Sequence, residues 1–464
     1  MSDNTLPNPS ASPELAALRA EVEKLFPALT SDLAALVRIP GVSAAAFDQA
    51  HVVASAEAVA ELLRGVGLPD VQILTAPKPD GTPGAPAIVA RRPAPTGAPT
   101  VLLYAHHDVQ PPGEGWRTEP FEPTVIGERM YGRGAADDKA GIVAHLGALR
   151  ALEALDALPD IGITVFIEGE EEDGSPSFRA FLEAHRDLLV ADVIVIPDSV
   201  NWKVGIPALT TSLRGLVDGT VEVSVLEHAV HSGMFGGPVL DANVLLARLI
   251  ATLHDSQGNV AVAGLASGAE PTVDYDEAAF RQEASVLAGV HLAGSGGIAG
   301  QIWVKPALSV IGIDATSVAN ASNTIAPSAR AKLSLRIAPG QDPQAAIDAL
   351  EAHLLANAPF GAQVRFEVGS AGRPFLAPSD TAAMRAARAC FEAAWGVPPV
   401  DIGVGGSIPF IADLLDVYPD AAILVTGVED PDSRAHGANE SVHLGELRKV
   451  VVAEALLLTQ LAAR

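Results

Sequence analysis

The 464-residue chain carries 30 Lys and Arg against 56 Asp and Glu, a formal net charge of −26 at pH 7. Charge of that sign repels phosphate backbones and anionic lipid, which excludes nucleic acid and membrane surfaces as main partners. Apolar residues are 48% and charged residues 19%, a globular composition, and the length calls for two domains or one domain carrying a large insertion.

In chain order, Met1 to Pro13 is rich in Ser, Asn and Pro without a basic start or an apolar segment, and reads as a disordered tail, not a signal peptide. Helical spacing of apolar residues follows over 13–36 and 49–64. The run 101–104 ends in His106-His107-Asp108, the run 161–167 in a block of acids, and the run 192–196 in Pro197-Asp198; 139–155 reads as an amphipathic helix between the first two. Short apolar strands alternating with helices predict an α/β fold with a mostly parallel sheet, whose strand C-termini form the ligand crevice. From 209 to 372 the texture is that of a separate α+β domain, with strands at 221–226 and 331–336 and helices at 238–253 and 345–356. The stretch 287–300 reads as a surface loop. The α/β texture resumes with a helix at 381–395, a strand at 421–425 and a final helix at 444–461. The expected organisation is a tail (1–13), a catalytic domain in two parts (14–208 and 373–464) and an inserted α+β lid or dimerisation domain (209–372).

The polar residues at the predicted strand ends are His106, Asp108, Asp137, Asp138, 170–173, Asp198 and, near the C-terminus, His436. Imidazoles and carboxylates without thiolate suit a borderline divalent ion, Zn²⁺ with Mn²⁺ or Co²⁺ as alternatives. Two ions sharing a bridging carboxylate need roughly five or six protein donors. Any one of these residues alone is more often a solvated turn residue than a ligand. Five such coincidences at successive strand ends are another matter. Competing chemistry is missing: Glu227-His-Ala-Val-His231 reverses the His-Glu-x-x-His order, no Gly-x-Ser-x-Gly elbow occurs, and Cys390 stands alone, so no disulfide within the chain or thiolate cluster forms.

The segments Tyr104-Ala-His-His-Asp-Val-Gln-Pro111, Tyr131-Gly-Arg-Gly-Ala-Ala-Asp-Asp-Lys139, Glu168-Gly-Glu-Glu-Glu-Asp-Gly-Ser175, Ile196-Pro-Asp-Ser199, His231-Ser-Gly-Met-Phe-Gly-Gly237, Gly405-Gly-Ser-Ile-Pro409 and His436-Gly-Ala-Asn-Glu440 occur in that order. The ordered set resembles the di-zinc metallopeptidase family of carnosinases and cytosolic dipeptidases, carboxypeptidase G, acetylornithine deacetylase and succinyl-diaminopimelate desuccinylase, and is nearest the dipeptidase branch. The resemblance implies a metal-dependent hydrolase with two divalent ions per chain. His106 and Asp198 would hold one ion, Glu172 and His436 the other, with Asp137 bridging and Asp108 orienting His106. Glu171 would be the general base towards a water activated between the ions, with Glu170 the adjacent alternative. Asn323, Arg336 and the Gly405-Gly406-Ser407 loop would bind the substrate's carboxylate end or oxyanion.

The N-terminal segment, which lacks signal-peptide features, predicts a cytoplasmic protein, and the resemblance further implies a homodimer in which His231 reaches into the partner's site to stabilise the oxyanion. The substrate class is a dipeptide or other small peptide, with N-acyl-amino-acid deacylation as the alternative and an inactive binding module as a remote one. The chain departs from the family pattern at Ala229, Gly403, Val404, His107 and Ala140. None of these removes a metal donor, but they bear on substrate choice.

Overall fold

A computed structural model describes residues 13–406 and 409–462. The expected tail, apart from Pro13, and Ser407 lie outside these residues. The chain divides into two compact units, the first containing 13–211, 377–401 and 409–462 and the second 212–376 and 402–406. The expected domain limits fell at 208/209 and 372/373; the observed ones fall slightly later. Residues 402–406 group with the second unit because they pack on Trp303 and Arg214. None of the described helices is long and apolar enough to cross a membrane.

The first unit is built on a mixed sheet. Its four central strands, Gly162–Glu168, Thr100–His106, Val193–Ile196 and Ala422–Thr426, are parallel neighbours in that order. Gly162–Glu168 is buried along its whole length, as expected of a strand covered on both faces. Antiparallel strands flank this parallel centre: Ala87–Arg92 and then Asp70–Leu74 on one side, Ala208–Leu213 on the other. The helices Pro13–Val37, Lys139–Ala154, Ala382–Trp395 and Leu444–Ala462 pack against one another in the same unit. A separate three-stranded sheet joins Ser441–His443, Arg129–Tyr131 and Thr124–Ile126.

The second unit is a four-stranded antiparallel sheet in the order Ala307–Asp314, Ser328–Ile337, Gly215–Ser224, Gln363–Gly372. Burial alternates residue by residue in its two central strands, so one face carries Val217, Val221, Val223, Leu333, Leu335 and Ile337. The helices Ala242–Ala251 and Pro343–Ala356 cover that face with Leu245, Leu249, Leu350 and Leu354. Three expectations change. The helix sought over 238–253 starts at Ala242, because Asp241 accepts a hydrogen bond from the Val244 N–H at 3.0 Å and caps it. The strand sought over 221–226 runs earlier, from Gly215 to Ser224. The stretch 287–300 is not surface loop to its end: the helix Ile298–Trp303 begins within it and buries Ala299 and Gly300.

Candidate metal centre

Each predicted donor of the first unit sits where regular structure stops. His106 ends its strand, Glu171–Asp173 forms a short helical turn after Gly162–Glu168, and Asp198 lies two residues beyond Val193–Ile196. Asp137 precedes the helix Lys139–Ala154. His436, far away in sequence, has a left-handed backbone (φ 61°) in the turn before Ser441–His443. The small three-stranded sheet pairs Ser441 with Tyr131 and so brings the His436 turn beside the Asp137 loop.

The result is two trios of donor atoms that share Asp137. Ligand atoms of His106, Asp137 and Asp198 lie within 4.8 Å of one another, and so do those of Asp137, Glu172 and His436. His106 Nε2 is 3.0 Å from Asp137 Oδ1, and His436 Nε2 is 3.0 Å from both Asp137 Oδ2 and Glu172 Oε2. The two oxygens of one carboxylate therefore face two different imidazoles.

The electrostatics fit cations at this place. Burial pushes Asp198 up to about 7, and the neighbouring Asp137 and Glu172 carboxylates add to the rise. Burial likewise raises Glu171 well above the usual carboxylate range, with Asp198, Glu168 and Glu172 reinforcing it. Asp137 is buried too, yet hydrogen bonds from His106 and His436 hold it below its ordinary value. The same bonds, to Asp137 and then Glu172, push His436 up to about 11. So many acids crowded together resist ionising until positive charge enters, and each trio of N and O donors leaves coordination positions open, as a catalytic divalent site requires.

Supporting residues hold these donors. Asp108, fully buried, lies with Oδ1 3.4 Å from His106 Nδ1, and its two oxygens accept the Glu171 and Glu172 N–H groups at 3.2 and 3.0 Å. Gln110 donates its side-chain N–H to Glu172 Oε2 at 2.8 Å. Glu170 and Glu171 separate clearly. Glu170 is turned into the fold, accepting from Ala85 N–H (2.9 Å), Ser177 N–H (2.7 Å) and the Ser177 hydroxyl. Among the described residues none hydrogen-bonds the Glu171 carboxylate. Cys390 is buried, and burial pushes its thiol up to about 12, so it is inert.

Two residues escaped notice in the sequence although both stand in quoted segments. Arg133 Nη1 pairs with Glu440 Oε2 at 2.6 Å in the interior, and its Nη2 donates to the His436 carbonyl at 3.0 Å. Glu440 Oε1 accepts from Ala136 and Asp137 N–H at 2.9 and 3.2 Å. The pair clamps the two loops that bear Asp137 and His436. The spacing of Arg133 and Glu440 from Asp137 and His436 was the one signal available, and without the fold it points nowhere.

The remaining predicted residues lie in the second unit. His231 and Asn323 are neighbours: Val230–His231 pairs with Thr324–Ile325, and Ser232 N–H donates to the Asn323 carbonyl at 2.9 Å. His231 does cap a turn, its Nδ1 accepting from Gly233 N–H at 3.0 Å. That bond requires an unprotonated Nδ1, which leaves Nε2 as the ring's donor. Arg336 is half-buried in the central strand Ser328–Ile337, and Gly405 and Gly406 follow the strand Val400–Val404.

Comparison with known proteins gives the family to which the chain belongs. The model of peptidase family M20/M25/M40 matches residues 102–460. A cysteinylglycine-S-conjugate dipeptidase of Corynebacterium striatum is 38% identical over 77% of this chain and 80% of its own. Among solved structures, human carnosine dipeptidase 1 superposes with a TM-score of 0.75 at 23% identity, covering 98% of this chain and all of that one. The YXEP protein of Bacillus subtilis, described as a dinuclear metal-binding peptidase, does so with a TM-score of 0.61 at 15% identity, covering 94% and 98%. With two donor trios joined through Asp137 and a family model spanning most of its length, the chain belongs to peptidase family M20/M25/M40 and is a metallopeptidase.

Proposed function

We propose that the protein hydrolyses dipeptides or similarly small peptides with two Zn²⁺ ions, one in each trio. The observation that carries this reading is the sharing of Asp137 by the two trios beside the unengaged Glu171 carboxylate. The names of relatives point the same way, towards Cys-Gly and β-Ala-His dipeptides. When bound, the ions would polarise the scissile carbonyl and make water a stronger nucleophile near neutral pH.

His106 and Asp198 would hold one ion, Glu172 and His436 the other, and Asp137 both. Glu171 takes the proton of the attacking water and delivers it to the leaving amine. Its raised proton affinity suits both tasks. Asp108 keeps the His106 ring and the Glu171 backbone in place at once. His231 Nε2–H donates to the developing oxyanion, and the edge strand Ala307–Asp314 of the second unit offers a route to the dimer in which a partner subunit would supply that histidine. Arg336, with its planar fork of donors, receives the substrate carboxylate together with Asn323 and the backbone at Gly406. Ser407, expected to join them, lies outside the described residues.

No observation favours the deacylase reading. A metal-supplemented panel of dipeptides against N-acetyl and N-succinyl amino acids tests the proposal. Turnover of the acyl amino acids alone would overturn it.

A further inference from the structure

Arg214 belongs to the second unit and is not among the donors of the metal centre. It lies just before the strand Gly215–Ser224 and is 8% exposed. Its guanidinium donates from Nε to the Gly405 carbonyl at 3.1 Å and from Nη1 to the Gln301 and Lys305 carbonyls at 3.1 and 3.3 Å. One side chain thus ties the Gly405-Gly406 turn to the C-terminal end of the helix Ile298–Trp303. The fit is close: a Cβ on Gly405 would meet Arg214 Nη2 at 2.9 Å and Ile302 Cγ2 at 3.0 Å. A Cβ on Gly403 would meet Trp303 Cβ at 2.6 Å. Trp303 thereby explains why glycine stands at position 403.

Arg214 also stands near Arg336. In the ladder Arg336 is opposite Leu216, and Arg214 is two residues before Leu216, so the two arginines are diagonal neighbours on one side. They are close enough for Arg336, after burial, to depress the Arg214 proton affinity. Among the described residues neither arginine forms an ion pair with a carboxylate, and the three bonds of Arg214 end on neutral carbonyls. A buried guanidinium without an anion is costly. With the half-buried Arg336 beside it and a turn offering backbone N–H groups next to it, Arg214 makes a site that calls for a carboxylate from outside.

Resting on the reading of Arg336 and Gly406 as the carboxylate end of the substrate site, we infer that Arg214 is a positioning and specificity-determining residue. It holds the Gly405-Gly406 turn in its binding geometry and adds a second positive charge, so that substrates with a free C-terminal carboxylate are selected. Lysine in its place would keep the charge but could not reach three carbonyls in a plane.

The test compares a good dipeptide with the same dipeptide as its C-terminal amide, using the metal-loaded full chain. The wild type is expected to favour the free acid at least tenfold in kcat/KM. R214M should raise KM for the free acid tenfold or more, change kcat less than threefold, and leave the amide's parameters within threefold. R214K should fall between the wild type and R214M; if R214M does not fold, R214K carries the test, with at least a threefold rise in KM for the acid alone. Loss of activity on acid and amide alike, or an unchanged KM for the acid, would overturn the inference. Loss of the preference in R336M together with its retention in R214M would reject the role of Arg214 and spare that of Arg336. A wild type that does not distinguish acid from amide would overturn both.

Discussion

The Glu171 N–H donates to Asp108 Oδ1 at 3.2 Å, across 63 positions of sequence. Because the same carboxylate also lies beside His106 Nδ1, the residue that contacts the first imidazole also holds the turn carrying Glu171 and Glu172. D108A should therefore weaken metal binding by about 10- to 100-fold, the range seen when groups behind metal ligands are removed. It should also lower kcat at saturating metal, because Glu171 loses its anchor. Metal titration and saturated kinetics separate the two effects. A variant fully restored by excess metal would show that Asp108 serves His106 alone.

The acids of the 170–173 turn should part company on mutation. E171A is expected to reduce turnover by about a hundredfold or more with metal content unchanged, whereas E172A should lose metal. E170A should retain metal and most activity but destabilise the fold by about 2–3 kcal/mol, since it strands the buried N–H of Ser177 and the half-buried N–H of Ala85. Elemental analysis, kinetics and melting of the three purified variants give the assignment. An active, metal-replete E171A would transfer the base role elsewhere.

Two equivalents of divalent ion per chain are expected after reconstitution, and chelation should abolish activity reversibly. Sharing of Asp137 makes a sharper claim. D137A should weaken both ions, whereas D198A and H436A should each weaken chiefly one. Isothermal titration of the three variants reads this; loss of a single ion in D137A would contradict the bridge.

His145 provides a pH dependence away from the metal ligands. Its Nδ1 is 2.8 Å from Glu454 Oε1 and its Nε2 3.0 Å from the Tyr104 carbonyl, so both nitrogens face acceptors in the interior. Burial opposes the charge, but Glu454 outweighs it and raises the pKa above 6.5. A histidine raised in the folded state binds more protons there than in the unfolded chain. Its contribution is fully present below pH 6.5 and lost as pH climbs through the raised value. Denaturant melts of the metal-loaded protein from pH 6 to 9 should show this decline. E454Q should flatten it and be less stable at pH 6; an unchanged slope would remove His145 from the account.

His231 can be placed by complementation. Mixed H231A and E171A chains, each inactive, should recover activity as hybrid dimers form, because one site then combines an intact base with the partner subunit's intact histidine. Subunit exchange is verified by mass; exchange without recovery would put His231 to work within its own chain or remove it from catalysis.

Local chemistry made much of this protein legible. Apolar runs of strand length, each broken by His, Asp or Glu, revealed the parallel centre of the sheet and the donors at its edge, because a buried strand admits polar ligands only where it ends. The antiparallel strand Asp70–Leu74 was missed because its mixed, half-exposed residues lack that signature, and Ala87–Arg92 because its buried apolar run ends in two arginines and not in His, Asp or Glu. Tertiary structure alone decided the rest. That Glu170 faces inward while Glu171 stays unengaged follows from where Ala85 and Ser177 lie. That Arg133 and Glu440 clamp two distant loops, and that Arg214 meets the Gly405 carbonyl, depends on partners 307 and 191 positions away. Residue type and spacing announce which groups can bind a metal or a carboxylate. Which atoms meet is set by strand register and loop packing, and those depend on the whole fold.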